Sequence, residues 1–244
     1  MEKQKMGVLR AAIGDAILTS TWVFIISTLR IASTEVALFL SLQPFSFAGL
    51  FITTVLNTLY VLTISFIGSV LGGASFNPST TVSFYTAGLR PDSSLASMAV
   101  RFPAQAFGGA VGAKALLLVM PSQYKQMLKG PFLKVDLHTG AIAEGFLTFT
   151  HNMAILFVML RGPKNPFLKV YLLSVATVAL VIPGAGFTGP SMNPANAFGW
   201  AFVNNKHNTW EQFYVYWVCP FVGASSAAFI FRSLFMAPIK HKKA

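Results

Sequence analysis

Gly72-Gly73-Ala74-Ser75-Phe76-Asn77-Pro78-Ser79 and Gly189-Pro190-Ser191-Met192-Asn193-Pro194-Ala195 are two versions of one signal, their asparagines 116 residues apart. In each, Asn-Pro opens a short segment of helical character. Asn is a strong N-cap residue, and Pro at the first helical position gives up only an N–H that has no intrahelical partner anyway. The segments that follow, 78–88 and 194–203, are about 10 residues long. At about 1.5 Å per residue each reaches about 15 Å, half of what a bilayer crossing requires. One Asn-Pro step is most simply an ordinary helix cap. Two steps in matched positions point to a pair of half-spans.

The surroundings support a membrane setting. Hydrophobic residues make up 54% of the 244, charged residues 10%, and mean hydropathy is +0.62. A soluble globular domain carries roughly 25% charged residues. The composition therefore excludes a soluble enzyme or a disordered tail. Six apolar stretches are long enough to span: 11–32, 45–71, 95–120, 139–160, 166–183 and 213–236. The basic N-terminus before the first stretch superficially resembles a signal peptide. That stretch is too long for a typical h-region and lacks a clean cleavage site, so it is expected to be a retained span. A single cysteine, Cys219, excludes an intrachain disulfide, and no Cys/His ligand cluster suggests a metal. No cofactor is expected.

An internal repeat runs through these segments. Asp15 in Ala12–Thr19 is matched by Glu144 in Ala141–Thr148, each acid four residues before a threonine early in a span. The Asn-Pro half-helices follow, and then a span rich in small residues, 103–110 in one half and 220–224 in the other. Each half holds three full spans, an odd number, so the second half enters the membrane upside down. The expected fold is an all-α bundle of six transmembrane helices plus two re-entrant half-helices in inverted repeat, with halves 1–125 and 126–244.

With both termini on one side, twelve basic residues fall inside: Lys3, Lys5, Arg10, Arg90, Arg101, Arg161, Lys164, Lys169, Arg232, Lys240, Lys242 and Lys243. Five fall outside, namely Arg30, Lys125, Lys129, Lys134 and Lys206, and Lys114 lies within a span. This asymmetry puts both termini in the cytosol. The formal net charge of +11 is spread over loops and ends rather than gathered on one face, which argues against nucleic acid as a partner.

In an inverted repeat the N-termini of both half-helices meet near the midplane. Two positive dipole ends then converge, favouring a neutral hydrogen-bonding permeant such as water and repelling cations. Asp15 and Glu144 are intramembrane acids and so functional candidates. They could relay protons, as in a proton-coupled transporter. Alternatively each accepts hydrogen bonds from the backbone of a re-entrant loop, and one acid per loop favours that role. His151 and Asn152 also lie within a span. Having no repeat partner, they are more simply explained by hydrogen bonds between helices.

On these residues the chain resembles the aquaporin, or major intrinsic protein, family, and within it the plant small basic intrinsic proteins. The resemblance covers nearly the whole length, including 12–24, 72–78, 189–199 and 210–217. It implies a passive channel rather than an enzyme, with Asn77-Pro78-Ser79 and Asn193-Pro194-Ala195 as pore motifs. It also implies a homotetramer in which every protomer has its own pore. Ser79 stands where most members have Ala. The larger departure is at the family's aromatic/arginine constriction: Asn196 replaces the arginine, Val181 aligns with the histidine, and the loop position is Pro190. The second-span position is Thr54, with Thr53 and Asn57 as competitors. Loss of the fixed cation opens the expected permeants from water to small neutral solutes. The alternative is a non-conducting protein of the same fold. At the C-terminus, Lys240 and Lys242 resemble a dilysine retrieval signal, which with the subfamily resemblance implies the endoplasmic reticulum membrane; a plain inside-positive anchor is the simpler reading.

Overall fold

Ser46, Ser94, Asp136, Asn165 and Thr209 each stand just before a helix and accept a hydrogen bond from the N–H three residues on. These caps satisfy donors that the first helical turn leaves free. The computed structural model describes residues 2–89 and 94–236. Arg90, Lys240, Lys242 and Lys243 lie outside the described residues, so the retrieval signal does too.

The helices in chain order are α1 Glu2–Ile26, α2 Leu29–Phe39, α3 Phe47–Val70, α4 Pro78–Thr86, α5 Leu95–Val119 and α6 Ser122–Lys125. They continue with α7 Leu137–Leu160, α8 Pro166–Gly184, α9 Pro194–Val203, α10 Trp210–Phe213 and α11 Cys219–Phe235. A π-helical turn, Tyr214–Val218, joins α10 to α11, so that the last span is continuous over Trp210–Phe235. Among the described residues, six helical stretches are long and apolar enough to cross a membrane.

Most boundaries shift by a few residues from the sequence expectation, and two of the differences have a clear local cause. The first span does not end near residue 32 but extends to Phe39, with a break at Ser27 and Thr28. There the Ser27 hydroxyl bonds back to the Val23 carbonyl and the Thr28 hydroxyl to that of Ile25, competition that bends helices. The first half-helix ends at Thr86, two residues short of 88. Gly88 takes φ +74°, and the Leu89 N–H returns to the Phe84 carbonyl, closing the helix.

The packing partners exchange between halves. α1 packs on α5 as α7 packs on α11. The second half-helix α9 lies on α5, and the first, α4, lies on α11. α3 and α8 pack against each other. Glycines permit the closest of these contacts. A Cβ on Gly108 or Gly112 would overlap the carbonyls of Ala16 or Ser20, and one on Gly223 that of Gly145. Small residues at such crossings let backbones approach where lipid supplies no hydrophobic drive. The outer surface is apolar: Phe47 is 93% and Phe39 87% exposed. In water such a surface would aggregate; in a bilayer it is solvated. The chain is an all-α, multi-pass membrane protein with an inverted repeat.

Candidate functional site

Asn77 and Asn193 take extended backbone angles at the N-caps of α4 and α9. The Asn77 Oδ1 accepts from the Ser79 N–H at 2.9 Å, and the Asn193 Oδ1 from Ala195 at 3.1 Å and Asn196 at 3.4 Å. The side-chain amides then reach across. Asn77 Nδ2 donates to the Met192 carbonyl at 3.0 Å, and Asn193 Nδ2 to the Phe76 carbonyl at 3.1 Å. Each half-helix is thus tied to the residue just before the other's cap. Pro78, Ser79, Pro194 and Ala195 are buried at the first turns. One N–H of each carboxamide is used in the cross-tie, and the other remains to donate.

The two acids hold the loops that carry these caps. Asp15 Oδ1 accepts from the Ser75 N–H at 2.7 Å. Glu144 Oε1 accepts from the N–H groups of Ser191 at 3.0 Å and Met192 at 2.6 Å, while its Oε2 takes the Thr188 hydroxyl. Met192 has φ +50°, unusual for a side chain of this kind. Its N–H is held by Glu144 and its carbonyl by Asn77, so the surroundings over-determine the strained conformation.

The halves differ in how the acid is neutralised. The charge pattern puts Arg101 on the positive-inside surface; it is instead buried in α5, 4% exposed, with Nε donating to Asp15 Oδ2 at 2.7 Å and Nη2 to Oδ1 at 2.8 Å. Gln105 Nε2 adds a further bond to Oδ2 at 2.7 Å. A buried ion demands a partner, and an arginine here offers a planar two-pronged one. Neither Arg101 nor Gln105 was singled out from sequence. Their spacing, an intramembrane cation with a carboxamide one turn on, was the available signal. Without Arg101 the count from sequence stands at eleven basic residues against five.

Thr54 and Asn57 are both buried on α3, whereas Thr53 is half-buried. The Thr54 and Thr53 hydroxyls donate to their own helix, to the carbonyls of Leu50 and Gly49. Val181 on α8 is 39% exposed although it shares the helical phase of Ser174, which is 1% exposed. Pro190 packs against Gly184. Asn196 folds back on its own loop, Nδ2 to Ser191 Oγ at 3.1 Å, and its Oδ1 has no partner among the described residues. No cationic side chain stands at this position. His151 Nε2 meets Thr177 Oγ1 at 3.2 Å between α7 and α8, while Asn152 Nδ2 bonds within α7 to Thr148.

Residues 2–231 match the family described as major intrinsic protein. The chain belongs to that family. It is 52% identical to Aquaporin SIP1-2 of Zea mays over 97% of this chain and 96% of the maize protein. It is 51% identical to Aquaporin SIP1-1 of Oryza sativa subsp. japonica, over 98% of each. Among solved structures it is similar to the aquaglyceroporin from Plasmodium falciparum, with a TM-score of 0.68 at 19% identity, over 93% of this chain and 96% of that one. That likeness speaks for the fold. Family membership makes the chain a membrane channel rather than an enzyme.

Proposed function

We propose that this channel passes water and small neutral solutes passively, along a lumen where Asn77-Pro78-Ser79 and Asn193-Pro194-Ala195 meet. The observation that carries the reading is the reciprocal cross-tie, Asn77 to Met192 and Asn193 to Phe76. It brings two helix N-termini and two spare amide N–H groups together. Such a place favours a neutral acceptor and raises the energy of a cation. Thr54, Val181, Pro190 and Asn196 form a constriction without a fixed charge, so exclusion of cations rests on the dipoles, and the filter is broader than one for water alone. Asp15 and Glu144 serve as loop supports rather than proton relays, because their oxygens are taken up by donors from loop and scaffold.

Further parts of this reading rest on the resemblance and the charge pattern. The protein assembles as a homotetramer, each protomer with its own lumen. Both termini lie in the cytosol, and Lys240 and Lys242 retain the protein in the endoplasmic reticulum membrane.

Stopped-flow shrinkage of proteoliposomes under an osmotic step tests the main claim beside empty liposomes. Water flux well above the control with a low activation energy is the expected result. Control-level flux of water and of small neutral solutes, from folded protein, would overturn it in favour of the non-conducting alternative. Saturable, accumulating, pH-dependent uptake would point instead to a proton-coupled transporter.

A further inference from the structure

Lys114 is the basic residue that the charge pattern leaves within a span, and neither the pore motifs nor the loop supports use it. It is exposed on α5, five residues before that helix ends at Val119. Among the described residues the one ion pair joins Asp15 to Arg101, so the Lys114 ammonium has no carboxylate of its own chain there. A charge at this depth is costly unless it reaches water or an anion. Its Cα lies about 8 Å inside the helix end, close enough for the long side chain to snorkel toward the headgroups.

An apolar groove opens beside it. Positions 103, 106, 107, 110, 111 and 114 recur at the spacing of one face of α5. Buried Ala106 and Ala110 make the floor, and exposed Phe107 and Val111 rise along one side. Phe198 and Phe202 of α9, one turn apart, form the other side. The space has a volume of about 590 Å³, within the range of roughly 300–1,000 Å³ usual for sites that take a small molecule. From Pro103 to Lys114 is about 16 Å along the helix, close to the hydrocarbon depth of one leaflet, about 15 Å. α9 runs beside α5 in the same direction: Gly109 lies against Ala195 and Gly199, and further on Ala113 and Leu116 cluster with Trp200 and Val203. The lysine therefore stands at the end of the groove where both helices finish.

We propose that this groove holds one anionic phospholipid of the surrounding leaflet, an acyl tail lying between α5 and α9 and the phosphate on the Lys114 ammonium. An apolar trough one leaflet long, with a lone cation at its surface end, complements an amphiphile with a negative head. A second copy of the protein complements it less well. Asp15 and Glu144, the acids deepest in its spans, are fully buried and already bonded. Because α9 carries the Asn193 cap, a seated tail braces the half-helix from its lipid side. The site serves a conducting and a non-conducting protein alike.

The full-length protein in phosphatidylcholine vesicles, doped with phosphatidylglycerol that carries a photoreactive diazirine on its acyl tail, tests this. After illumination the labelled residues are mapped by mass spectrometry. Labelling should concentrate on Phe107, Phe198 and Phe202. It should be about fivefold stronger than with the same probe on phosphatidylcholine, the worth of one lysine near an anionic surface. Lys114→Leu should abolish that preference and Lys114→Arg should keep it. Labelling no denser there than at exposed Phe47 and Phe66 of α3, or equal for the two lipids, would overturn the proposal. Val111→Cys in a Cys219→Ala background tests the rival occupant. A thiol that stays unpaired under copper-phenanthroline oxidation is expected; rapid disulfide formation between copies would show that a second copy covers the groove, and the lipid site would be lost.

Discussion

Asp15 and Arg101, 86 residues apart in the chain, form a two-pronged ion pair with 0% and 5% of their side chains accessible. The carboxylate also takes the Ser75 N–H, so the pair ties α1, α5 and the loop before Asn77 into one unit. The corresponding acid of the other half, Glu144, does the same for its loop with a hydroxyl and two backbone N–H groups instead of a cation.

Arg101→Leu leaves a buried carboxylate without its counter-ion. Breaking such a pair typically costs about 3–5 kcal/mol. Asp15→Asn combined with Arg101→Leu removes both charges yet keeps an acceptor for Ser75. Thermal unfolding in detergent should show the double variant more stable than Arg101→Leu alone. A double variant no better than the single would mean that the arginine acts through packing rather than charge.

Replacing Asn77 and Asn193 together by Asp keeps capping oxygens at both half-helices while removing the amide donors. Negative charge then stands where the two positive ends meet. Cation leak, followed with a potential-sensitive dye in potassium-loaded proteoliposomes, should rise by about tenfold or more, the effect of 1.4 kcal/mol on a barrier. A leak no greater than the parent's would show that cation exclusion is set elsewhere.

Asn196→Arg places a cation at the second loop and breaks the bond to Ser191. Solute permeability should fall relative to water permeability, both read by stopped-flow light scattering. Equal solute flux in variant and parent would remove position 196 from the constriction.

Gly109 faces the Ala195 carbonyl so closely that a Cβ would overlap it. Gly109→Val should therefore push α9 from α5, at a cost of about 1–3 kcal/mol for overpacking. Denaturation in detergent measures the loss. Val at Gly7, where a Cβ meets nothing, is the control and should be neutral.

Asp136 caps α7 outside the spanning segment, and its bonds with Thr139 hold its carboxyl below the usual carboxylate range. A depressed carboxyl stabilises the fold above its unfolded pKa and loses that contribution as pH falls through the lowered value. The first turn of α7 should thus fray only in acid, seen as faster amide exchange at Thr139 and Gly140. Asp136→Asn should abolish that acid dependence, since the amide caps without titrating.

The apolar stretches, the two Asn-Pro caps and the paired acids were legible because each is a local pattern: length against bilayer thickness, or residue type against helix position. The helix boundaries were less so. The break at Ser27–Thr28 depends on hydroxyls choosing their own helix's carbonyls, and the Thr28 hydroxyl also meets Tyr60 on α3. The cation count puts Arg101 at a surface although it lies near the start of the 95–120 stretch, since counting charges treats a basic residue near the end of a span as solvated. It takes the approach of α1 to α5, through Gly108 and Gly112, to bring Asp15 within its reach.

By itself the sequence determined a membrane-spanning helical bundle with two matched Asn-Pro half-spans, because bilayer thickness, backbone satisfaction in lipid and helix capping act on runs of a few residues. Tertiary structure alone decided which groups meet: Asn77 with Met192, Asn193 with Phe76, Asp15 with Arg101, His151 with Thr177. These pairs span 26 to 117 positions, and a hydrogen bond depends on ångström-scale placement that no local pattern encodes.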